Sequence, residues 1–249
     1  MFKKILTVFI SLFISATIFA SPNNFTPAQT EQIQTIVHNY LIQNPQILIQ
    51  VSQALQTQQI QKAQQAAITG TKQNTDKIFN DPNSPVIGNP KSNIVVVEFF
   101  DYQCPHCRDI APVMQNILKN NPNIKIIYKE FPIFGANSQY AASAALAANQ
   151  QGKYDAVHNA LLNAPIPLTK QAVLEAVKNA GVNLTKLKKN MASNIVQNEL
   201  NQNLQLAEAL KLIGTPAIIV ANTQTKNYQF MPGAGSEQDL QNLINKVKS

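Results

Sequence analysis

Apolar side chains recur every three or four positions between residues 26 and 75, which is the spacing of one helical face. Thr26 and Gln29 form a potential capping box for a first helix, and a break before a second helix is expected at Pro45. Each helix carries one apolar stripe: Ile33, Ile36, Val37, Tyr40 and Leu41, then Ile47, Leu48, Val51 and Leu55. Residues 56–67 are mostly polar helix formers and predict an exposed helical spacer.

The two apolar stripes cannot be buried by two short helices alone, so this segment needs a partner. Self-association between chains is favoured, which predicts a homodimer or a higher oligomer. Docking onto the C-terminal part of the same chain is the alternative. Residues 26–75 are therefore predicted to form a helical oligomerisation segment with its spacer.

From residue 76 onward the pattern changes to short β-branched and aromatic runs separated by turns. Runs at 94–100 and 124–129 predict buried strands, and a helix that begins at Pro105 is expected between them. Strand, helix and strand in this order predict a βαβ unit with parallel pairing. This unit places the domain in the α/β class.

Residues 138–213 show helical patterns without strands, with caps predicted at Thr169, Asn183 and Ser193. The β pattern returns at 217–220 and is followed by a short strand and a final amphipathic helix. Because strands flank the helical block on both sides, one sheet is predicted from the two ends of the domain. The helical block is then an insertion.

The first twenty residues have the pattern of a secretory signal peptide. Lys3 and Lys4 precede an apolar run at 5–19, and the small residue Ala20 stands before Ser21 at the expected cleavage point. The run is shorter than the roughly 20 residues that a membrane span needs, so an uncleaved anchor is the less favoured alternative. The mature protein is expected to be exported and soluble.

The charge pattern argues against a nucleic-acid partner. The formal charge of the full chain is +7, and loss of Lys3 and Lys4 with the leader would lower it to +5. The basic residues are scattered apart from Lys186, Lys188 and Lys189, and no aromatic residues interleave with them.

Two cysteines, Cys104 and Cys107, are the candidate reactive groups, and they stand between the 94–100 strand and the following helix. Cys104 precedes Pro105 at the helix N-terminus, where unpaired N–H groups and the helix dipole favour a thiolate over a thiol. His106 adds a second donor or a positive charge beside that sulfur. Cys107 lies one turn along, in position to attack a mixed disulfide.

Two other uses of a C-x-x-C pair stay open. A structural zinc site needs two further ligands, and the chain offers three histidines, His38, His106 and His158. An inert structural disulfide is the other alternative. A catalytic dithiol is favoured, because a proline and a histidine between the cysteines suit thiol tuning better than metal binding. No metal or cofactor is then expected besides the redox-active Cys104–Cys107 disulfide.

Three motifs around the helical block resemble the DsbA family of thiol oxidoreductases: Glu98-Phe99-Phe100, Cys104-Pro105-His106-Cys107 and Gly214-Thr215-Pro216. The lead-in from Phe79 to Pro90 and the helical N-terminus are similar to those of the longer, oligomeric Com1-like and ScsC-like members. The resemblance implies an α/β, thioredoxin-like fold with an inserted helical domain at about 138–213. The domain would span residues 76–249, after the signal peptide (1–20) and the helical segment (26–75).

The resemblance also implies the roles of the dithiol residues. Cys104 would be the exposed attacking cysteine and Cys107 the resolving one. Pro105 and His106 would be the dipeptide that makes the attacking thiol acidic.

Three further site residues follow from the same resemblance. Pro216 would be a cis-proline that faces the dithiol and presents the backbone of Thr215 to an extended client segment. Glu98 would be a buried acid beneath the site, with a raised pKa, that relays the proton of the resolving cysteine. A solvated position at the edge of a strand is the alternative for Glu98.

The partners implied by the resemblance are cysteine-containing secreted client proteins and a membrane redox partner of the DsbB-like or DsbD-like kind. The protein would form or isomerise client disulfides in the periplasm, with association to the outer membrane or cell surface as an alternative. Thr215 and the oligomeric N-terminus are similar to features of disulfide isomerases, so oxidase and isomerase both stay open. The alternative functions are an outer-membrane-associated scaffold and a copper-handling protein, each with an incidental dithiol.

Overall fold

The structure is a computed structural model that describes residues 25–248, and the predicted signal peptide lies outside this range. The chain divides into two compact units, with the boundary between Ala54 and Leu55. No helix within the described range is long and apolar enough to span a membrane.

Helix α1 (Pro27–Gln43) and the beginning of α2 (Gln46–Gln73) form the described part of the first unit. The predicted capping box of α1 is confirmed, because the Thr26 N–H donates to Gln29 Oε1 at 2.9 Å and the Gln29 N–H donates to Thr26 Oγ1 at 3.3 Å. The predicted break between the two helices is confirmed as well. No residue of α1 is buried.

The second unit contains an α/β domain built on a five-stranded sheet with the order β1-β3-β2-β4-β5. The strands are β1 (Val86–Gly88), β2 (Ile94–Phe100), β3 (Lys125–Glu130), β4 (Ala217–Asn222) and β5 (Asn227–Pro232). β2 and β3 pair in parallel, and the other neighbours pair antiparallel. Since α4 (Pro105–Asn120) connects β2 to β3, the predicted βαβ unit is confirmed.

The other helices of this unit surround the sheet. They are α3 (Thr75–Phe79), α5 (Ala136–Asn149), α6 (Tyr154–Asn163), α7 (Lys170–Asn179), α8 (Leu184–Met191), α9 (Asn194–Ala209) and α10 (Glu237–Lys248). Helices α5 to α9 lie between β3 and β4 in sequence, which confirms the helical insertion. The predicted caps Thr169, Asn183 and Ser193 each accept a backbone N–H with the side chain.

The sequence does not predict β1, because its three residues are too few to show an alternation. β1 pairs with β3 through Val86 and Ile127. Its last residue, Gly88, has a φ of +95°, and a Cβ there would lie 2.6 Å from Ile124 O. Glycine alone fits this conformation and this close approach.

The sheet buries apolar residues on both faces, so the domain has two cores. On one face, Val96 and Phe100 of β2 pack with α4, the insertion and α10. On the other face, Val97 and Phe99 pack with α3 and with Ala67 near the end of α2. The two cysteines belong to the first core, and we therefore call its side of the sheet the dithiol face and the other side the opposite face.

The prediction of an exposed helical spacer at 56–67 is confirmed for residues 56–62, which are helical and exposed, and wrong at its end, where the buried part of α2 begins at Ala67. Ala67, Gly70 and Thr71 are buried, and a Cβ on Gly70 would lie 3.0 Å from backbone atoms at the C-terminal end of α9. Small residues form this contact, so no apolar stripe marks it in the sequence. The second compact unit accordingly begins at Leu55, whereas the composition changes near residue 75.

Candidate active site

The two cysteines lie where the chain leaves β2 and enters α4. Cys104 is the N-cap of α4 in an extended conformation, and Pro105 occupies the first helical position. The Cys104 N–H donates to Asp101 O at 3.1 Å, which closes the turn. Cys107 lies in the first turn of α4, and both thiols are free. The predicted placement of Cys104 at the positive end of a helix dipole is therefore confirmed.

Cys104 is buried, with 2% of its surface exposed, so the expectation of an exposed attacking cysteine is wrong. The loop before β4 covers the sulfur, because Cys104 Sγ donates a hydrogen bond to Thr215 O at 3.2 Å. These residues are far apart in the sequence. The C-x-x-C spacing therefore carries no sign of this contact.

Cys107 is buried beside an acid. Burial raises the pKa of the Cys107 thiol well above its usual range, and the negative charge of Glu98 raises it further. The backbone of Asp101 and the hydroxyl of Thr215 lower this pKa, but their effect is smaller than that of burial. A thiol of this kind stays protonated at neutral pH and needs a base before it can attack a disulfide.

Glu98 lies on the dithiol face of β2, in the alternation that also points Val96 and Phe100 to this side. It is 3% exposed, and burial raises its pKa to about 8. Among the described residues it has no hydrogen-bond or ion-pair partner. The predicted burial and raised pKa are confirmed, and a solvated strand edge is wrong, because β2 is flanked by strands on both sides.

The side chain of His106 lies on the solvent-exposed side of α4. Its side chain is 73% exposed, and Nδ1 lies 3.6 Å from Asp109 Oδ2. The next residue, Cys107, takes the inward position of this turn, so the imidazole points to solvent. Water therefore screens any effect of a protonated His106 on the Cys104 sulfur.

The Thr215–Pro216 peptide bond is cis, as the resemblance implies, and it directly precedes β4. The Thr215 carbonyl faces the dithiol through its contact with Cys104. Thr215 Oγ1 is buried, and the hydroxyl lowers the pKa of the Cys107 thiol. This loop is therefore the part of the distant chain that lies against the reactive sulfur.

Sequence reasoning missed two residues that hold the turn before the dithiol. The buried Asp101 carboxylate accepts hydrogen bonds at 2.7 Å from the Gln103 N–H, the Ile133 N–H and Ser138 Oγ. Gln103 Oε1 accepts from the Leu168 N–H at 3.1 Å. These bonds join the turn to the segment after β3 and to the segment before α7. No local pattern marks them, because their partners are distant in sequence.

Arg108, the residue after the dithiol, was also missed. Its guanidinium donates to Tyr102 O at 2.9 Å, to Leu161 O at 2.9 Å and to Ala164 O at 2.6 Å. All three acceptors are backbone carbonyls, which a sequence pattern cannot identify. Arg108 thus fastens the start of α4 to the insertion.

A second buried acid on the dithiol face, Glu130, belongs to a polar cluster. Its Oε1 accepts hydrogen bonds from Tyr102 OH at 2.9 Å and from Tyr154 OH at 2.8 Å, and burial raises its pKa. The Tyr102 hydroxyl lies 3.2 Å from His158 Nδ1, and burial lowers the pKa of His158 to about 3. These groups are held in place by each other, and they support the turn that carries the dithiol.

The zinc alternative needs two ligands besides the cysteines. Within residues 25–248, no three His, Cys, Asp or Glu side chains are grouped so that they could hold a metal ion. His158 is instead packed against the rings of Phe100, Tyr128 and Tyr154.

Comparison with protein families gives two matches along the chain. Residues 95–245 match the DSBA-like thioredoxin domain. Residues 29–67 match the N-terminal domain of the copper resistance protein ScsC. The first match contains every residue that the sequence assigns to the site.

Individual relatives and solved structures are also similar to this chain. A protein named as a protein-disulfide oxidoreductase of Rickettsia typhi is 30% identical over 226 residues, which cover 84% of this chain and 79% of the relative. The crystal structure of a thioredoxin-like oxidoreductase from Silicibacter pomeroyi is 38% identical, with a TM-score of 0.65, over 70% of this chain and 96% of that chain. The crystal structure of BcfH from Salmonella enterica Typhimurium is 31% identical, with a TM-score of 0.70, and the match covers 89% of this chain and 97% of that chain. The predicted thioredoxin-like fold is confirmed.

Proposed function

Because the chain belongs to the family of DSBA-like thioredoxin domains, we propose that it makes and rearranges disulfide bonds in secreted proteins through Cys104 and Cys107. Family membership makes the chain a protein thiol:disulfide oxidoreductase. The observation that supports the dithiol as its reactive site is the position of Cys104, which caps α4 and contacts Thr215 O. The acid Glu98 lies close enough to Cys107 for its charge to raise the thiol pKa.

In the oxidising direction, a client thiolate attacks Cys104 Sγ of the Cys104–Cys107 disulfide. The S–S bond breaks, a mixed disulfide forms between the client and Cys104, and Cys107 leaves with the electron pair. A second client thiolate then attacks the client sulfur of the mixed disulfide. The client leaves with its own disulfide, and Cys104 leaves as a thiolate that the N-terminus of α4 stabilises.

Glu98 provides the proton that Cys107 takes up as it leaves. A carboxyl with a pKa of about 8 is mostly protonated at neutral pH. Burial disfavours a Cys107 thiolate, so proton transfer from Glu98 as the S–S bond breaks leaves the single negative charge on the carboxylate instead of on the sulfur. In the reverse direction, the Glu98 carboxylate takes the proton from Cys107 before this sulfur attacks.

The client backbone lies along Thr215 and Pro216 in this proposal. The Thr215 carbonyl, which contacts Cys104 Sγ in the free protein, is a backbone group beside the position of an incoming client cysteine. Hydrogen bonds from backbone to backbone do not depend on side chains, so they allow a broad range of clients.

The test is the oxidation of a reduced two-cysteine peptide by the oxidised protein. Ring closure of the peptide changes its fluorescence, and this change measures the rate. We expect about one peptide disulfide per oxidised protein, and none from Cys104→Ser. The reduced wild-type protein is the matched control. Peptide oxidation that is equally fast with the reduced protein would contradict the proposal.

We also propose that the apolar stripes of α1 and α2 pair between chains to give a homodimer or a higher oligomer. Ile36, Tyr40 and Val51 are 66%, 56% and 59% exposed. A contiguous exposed stripe of this kind is unfavourable in water, and a second copy presents a matching stripe. Two or more dithiols in one assembly would raise the local thiol concentration around a misfolded client, which favours isomerisation.

Deletion of residues 21–54 tests this proposal, because the second compact unit begins at Leu55 and the end of α2 stays in its core. We expect the truncated protein to be monomeric by light scattering and to oxidise the peptide as before. It should lose most of its ability to rescue a protein with scrambled disulfides. A full-length protein that is already monomeric would contradict the proposal.

Export by residues 1–20 to the periplasm, and a DsbB-like or DsbD-like membrane partner, complete the proposed function. N-terminal sequencing of the mature protein tests the cleavage after Ala20. Alkylation of Cys104 and Cys107 in intact cells tests the direction of exchange. A mostly oxidised dithiol indicates an oxidase, a mostly reduced dithiol indicates an isomerase, and a mixture indicates both activities.

A second candidate function is the binding of Cu(I) as cargo. The match of residues 29–67 to the N-terminal domain of a copper resistance protein favours it, and a thiol pair is a soft donor set that suits Cu(I). Titration of the reduced protein with Cu(I) against a competing chelator tests this function. Loss of binding in both Cys104→Ser and Cys107→Ser would support it, and binding that survives both changes would contradict it.

A further inference from the structure

A cleft of about 280 Å³ lies between the loop before β4, strand β5 and helix α2. Its lining is mostly apolar and includes Ile60, Ala63, Leu212, Ile213, Pro216 and Phe230. Ile213 is 94% exposed, which is unusual for a large apolar side chain beside a concave surface. The whole lining belongs to the second compact unit.

Thr215 connects this cleft to the dithiol. Thr215 lines the cleft, and its carbonyl lies 3.2 Å from Cys104 Sγ. Consecutive residues of a polypeptide are about 3.8 Å apart. When a client cysteine is bonded to Cys104, the residue next to that cysteine is therefore within reach of the cleft.

The size and chemistry of the cleft suit one apolar side chain. Its volume of about 280 Å³ lies just below the roughly 300–1,000 Å³ of sites for drug-sized ligands. Lys211 is the single charged residue of the lining, and it would repel a cationic client residue. A neutral, apolar side chain buries its surface there without leaving a charge unpaired.

We propose that this cleft is a specificity subsite for a large apolar side chain, such as leucine, next to the client cysteine. The inference rests on the proposed thiol-disulfide exchange at Cys104. It gives α2 a part in client choice, because this helix contributes Ile60 and Ala63 while β5 contributes Phe230. The middle of α2 is then a wall of the client site.

The test uses peptides with a single cysteine held as a mixed disulfide with thionitrobenzoate and flanked on both sides by Leu, Ser or Lys. In the Cys107→Ser protein, the Cys104 thiolate attacks the peptide sulfur, and thionitrobenzoate leaves with the electron pair and is measured by its absorbance. Each rate is divided by the rate of the same peptide with glutathione, which removes differences in intrinsic reactivity. We expect the Leu peptide to react roughly 10-fold faster than the Ser peptide, and the Lys peptide to react slowest.

Ile60→Glu in the same background should bring the Leu and Ser rates close together and raise the Lys rate relative to both. Ile60 is 39% exposed, so this change is compatible with folding. Leu204→Glu is the matched control, because Leu204 is an apolar residue of similar exposure (47%) on α9 outside this cleft, and it should leave all three rates unchanged.

Two outcomes would overturn the subsite. One is equal corrected rates for the Leu, Ser and Lys peptides with the parent protein. The other is an Ile60→Glu protein that keeps the full preference for leucine. Failure of every peptide to react would instead contradict the exchange reaction at Cys104, so the two proposals fail separately.

Discussion

Two buried carboxyls, Glu199 on the opposite face of the sheet and Glu98 on the dithiol face, are held in opposite ways. On the opposite face, Lys129 Nζ donates to Ser84 Oγ at 2.6 Å and lies 3.3 Å from Asp81 Oδ2 and 3.9 Å from Glu199 Oε1. Ser84 Oγ in turn donates to Glu199 Oε1 at 2.9 Å. On the dithiol face, Glu98 is equally buried, yet no cation or hydrogen-bond donor within the described range accompanies it.

This difference suggests different roles for the two carboxyls: Glu199 stabilises the fold, and Glu98 is the candidate for proton transfer. Burial raises the pKa of Glu199 to about 7, against the attraction of Lys129, which favours the carboxylate. Burial raises the pKa of Glu98 to about 8 with no such opposition. A buried carboxyl without a partner is costly for stability. Its position beside Cys107 suits the proton transfer that we propose for it. The difference between Glu98 and Glu199 predicts which substitutions affect stability and which affect exchange.

The largest effect is expected from Lys129→Met, which should lower the free energy of unfolding by roughly 3–5 kcal/mol, because it leaves buried carboxylates without a counter-charge. Urea unfolding at pH 7 measures this loss. The double variant Lys129→Met with Glu199→Leu is the control, and it should recover part of the stability. A single variant as stable as the wild type would show that the ion cluster is not needed.

Glu98→Gln should slow thiol-disulfide exchange by roughly 10-fold to 100-fold, the range for loss of a general acid. The variant keeps the shape of the side chain but has no proton to give to Cys107. Its rate should also lose the wild-type change near pH 8. Glu199→Gln on the opposite face is the matched control and should stay within about twofold of the wild-type rate. Equal slowing by both changes would remove the distinction between the faces.

The pH dependence of stability should differ between the wild type and Glu98→Gln. The pKa of Glu98 rises from its usual value near 4.5 to about 8 on folding, so the folded state holds a proton that the unfolded state has lost between these values. The contribution of Glu98 is therefore complete below pH 4.5 and is lost as the pH rises through 8, at about 1.4 kcal/mol per pH unit. Unfolding of both proteins from pH 4 to 9 measures this difference. Parallel curves would mean that Glu98 is not perturbed by folding.

The smallest effect is expected from Thr215→Val, which removes a hydroxyl that lowers the pKa of Cys107. Because the change keeps the branched shape of the side chain and removes one buried polar atom, the fold should be unaffected. We expect exchange to slow by roughly twofold to threefold, since Cys107 becomes a poorer leaving group. Thr215→Ser keeps the hydroxyl and should retain the wild-type rate. A larger loss in Thr215→Ser than in Thr215→Val would assign the effect to packing.

The parts of the site that the sequence predicts are local. Cys104 at the start of α4 follows from a strand, a short turn and a proline that are adjacent in the chain. The burial of Glu98 and the cis bond before Pro216 follow from the family resemblance, and the structure places both as expected. The N-terminal helices and their cap were predictable because helical periodicity and capping are properties of short segments.

The parts that the sequence does not predict depend on contacts between distant segments. Thr215 covers Cys104 across more than 100 residues of chain, so the burial of this sulfur could not be predicted. Asp101 and Arg108 make their contacts with backbone groups, which carry no sequence signature. The burial of the end of α2 was not predicted, because glycine and alanine make its contact with the domain instead of large apolar residues.

The central claim is that Cys104 attacks and Cys107 resolves, and trapping of mixed disulfides tests it most directly. Reduced Cys107→Ser and Cys104→Ser proteins would be mixed with a client that carries a disulfide and separated on a non-reducing gel, since the attacking thiolate then displaces a client thiolate. We expect Cys107→Ser to accumulate a complex with the client, because Cys104 still forms the mixed disulfide and the Cys107 thiol that would release the client is absent. Cys104→Ser should accumulate none. A complex that forms with Cys104→Ser and not with Cys107→Ser would reverse the two roles and contradict the account.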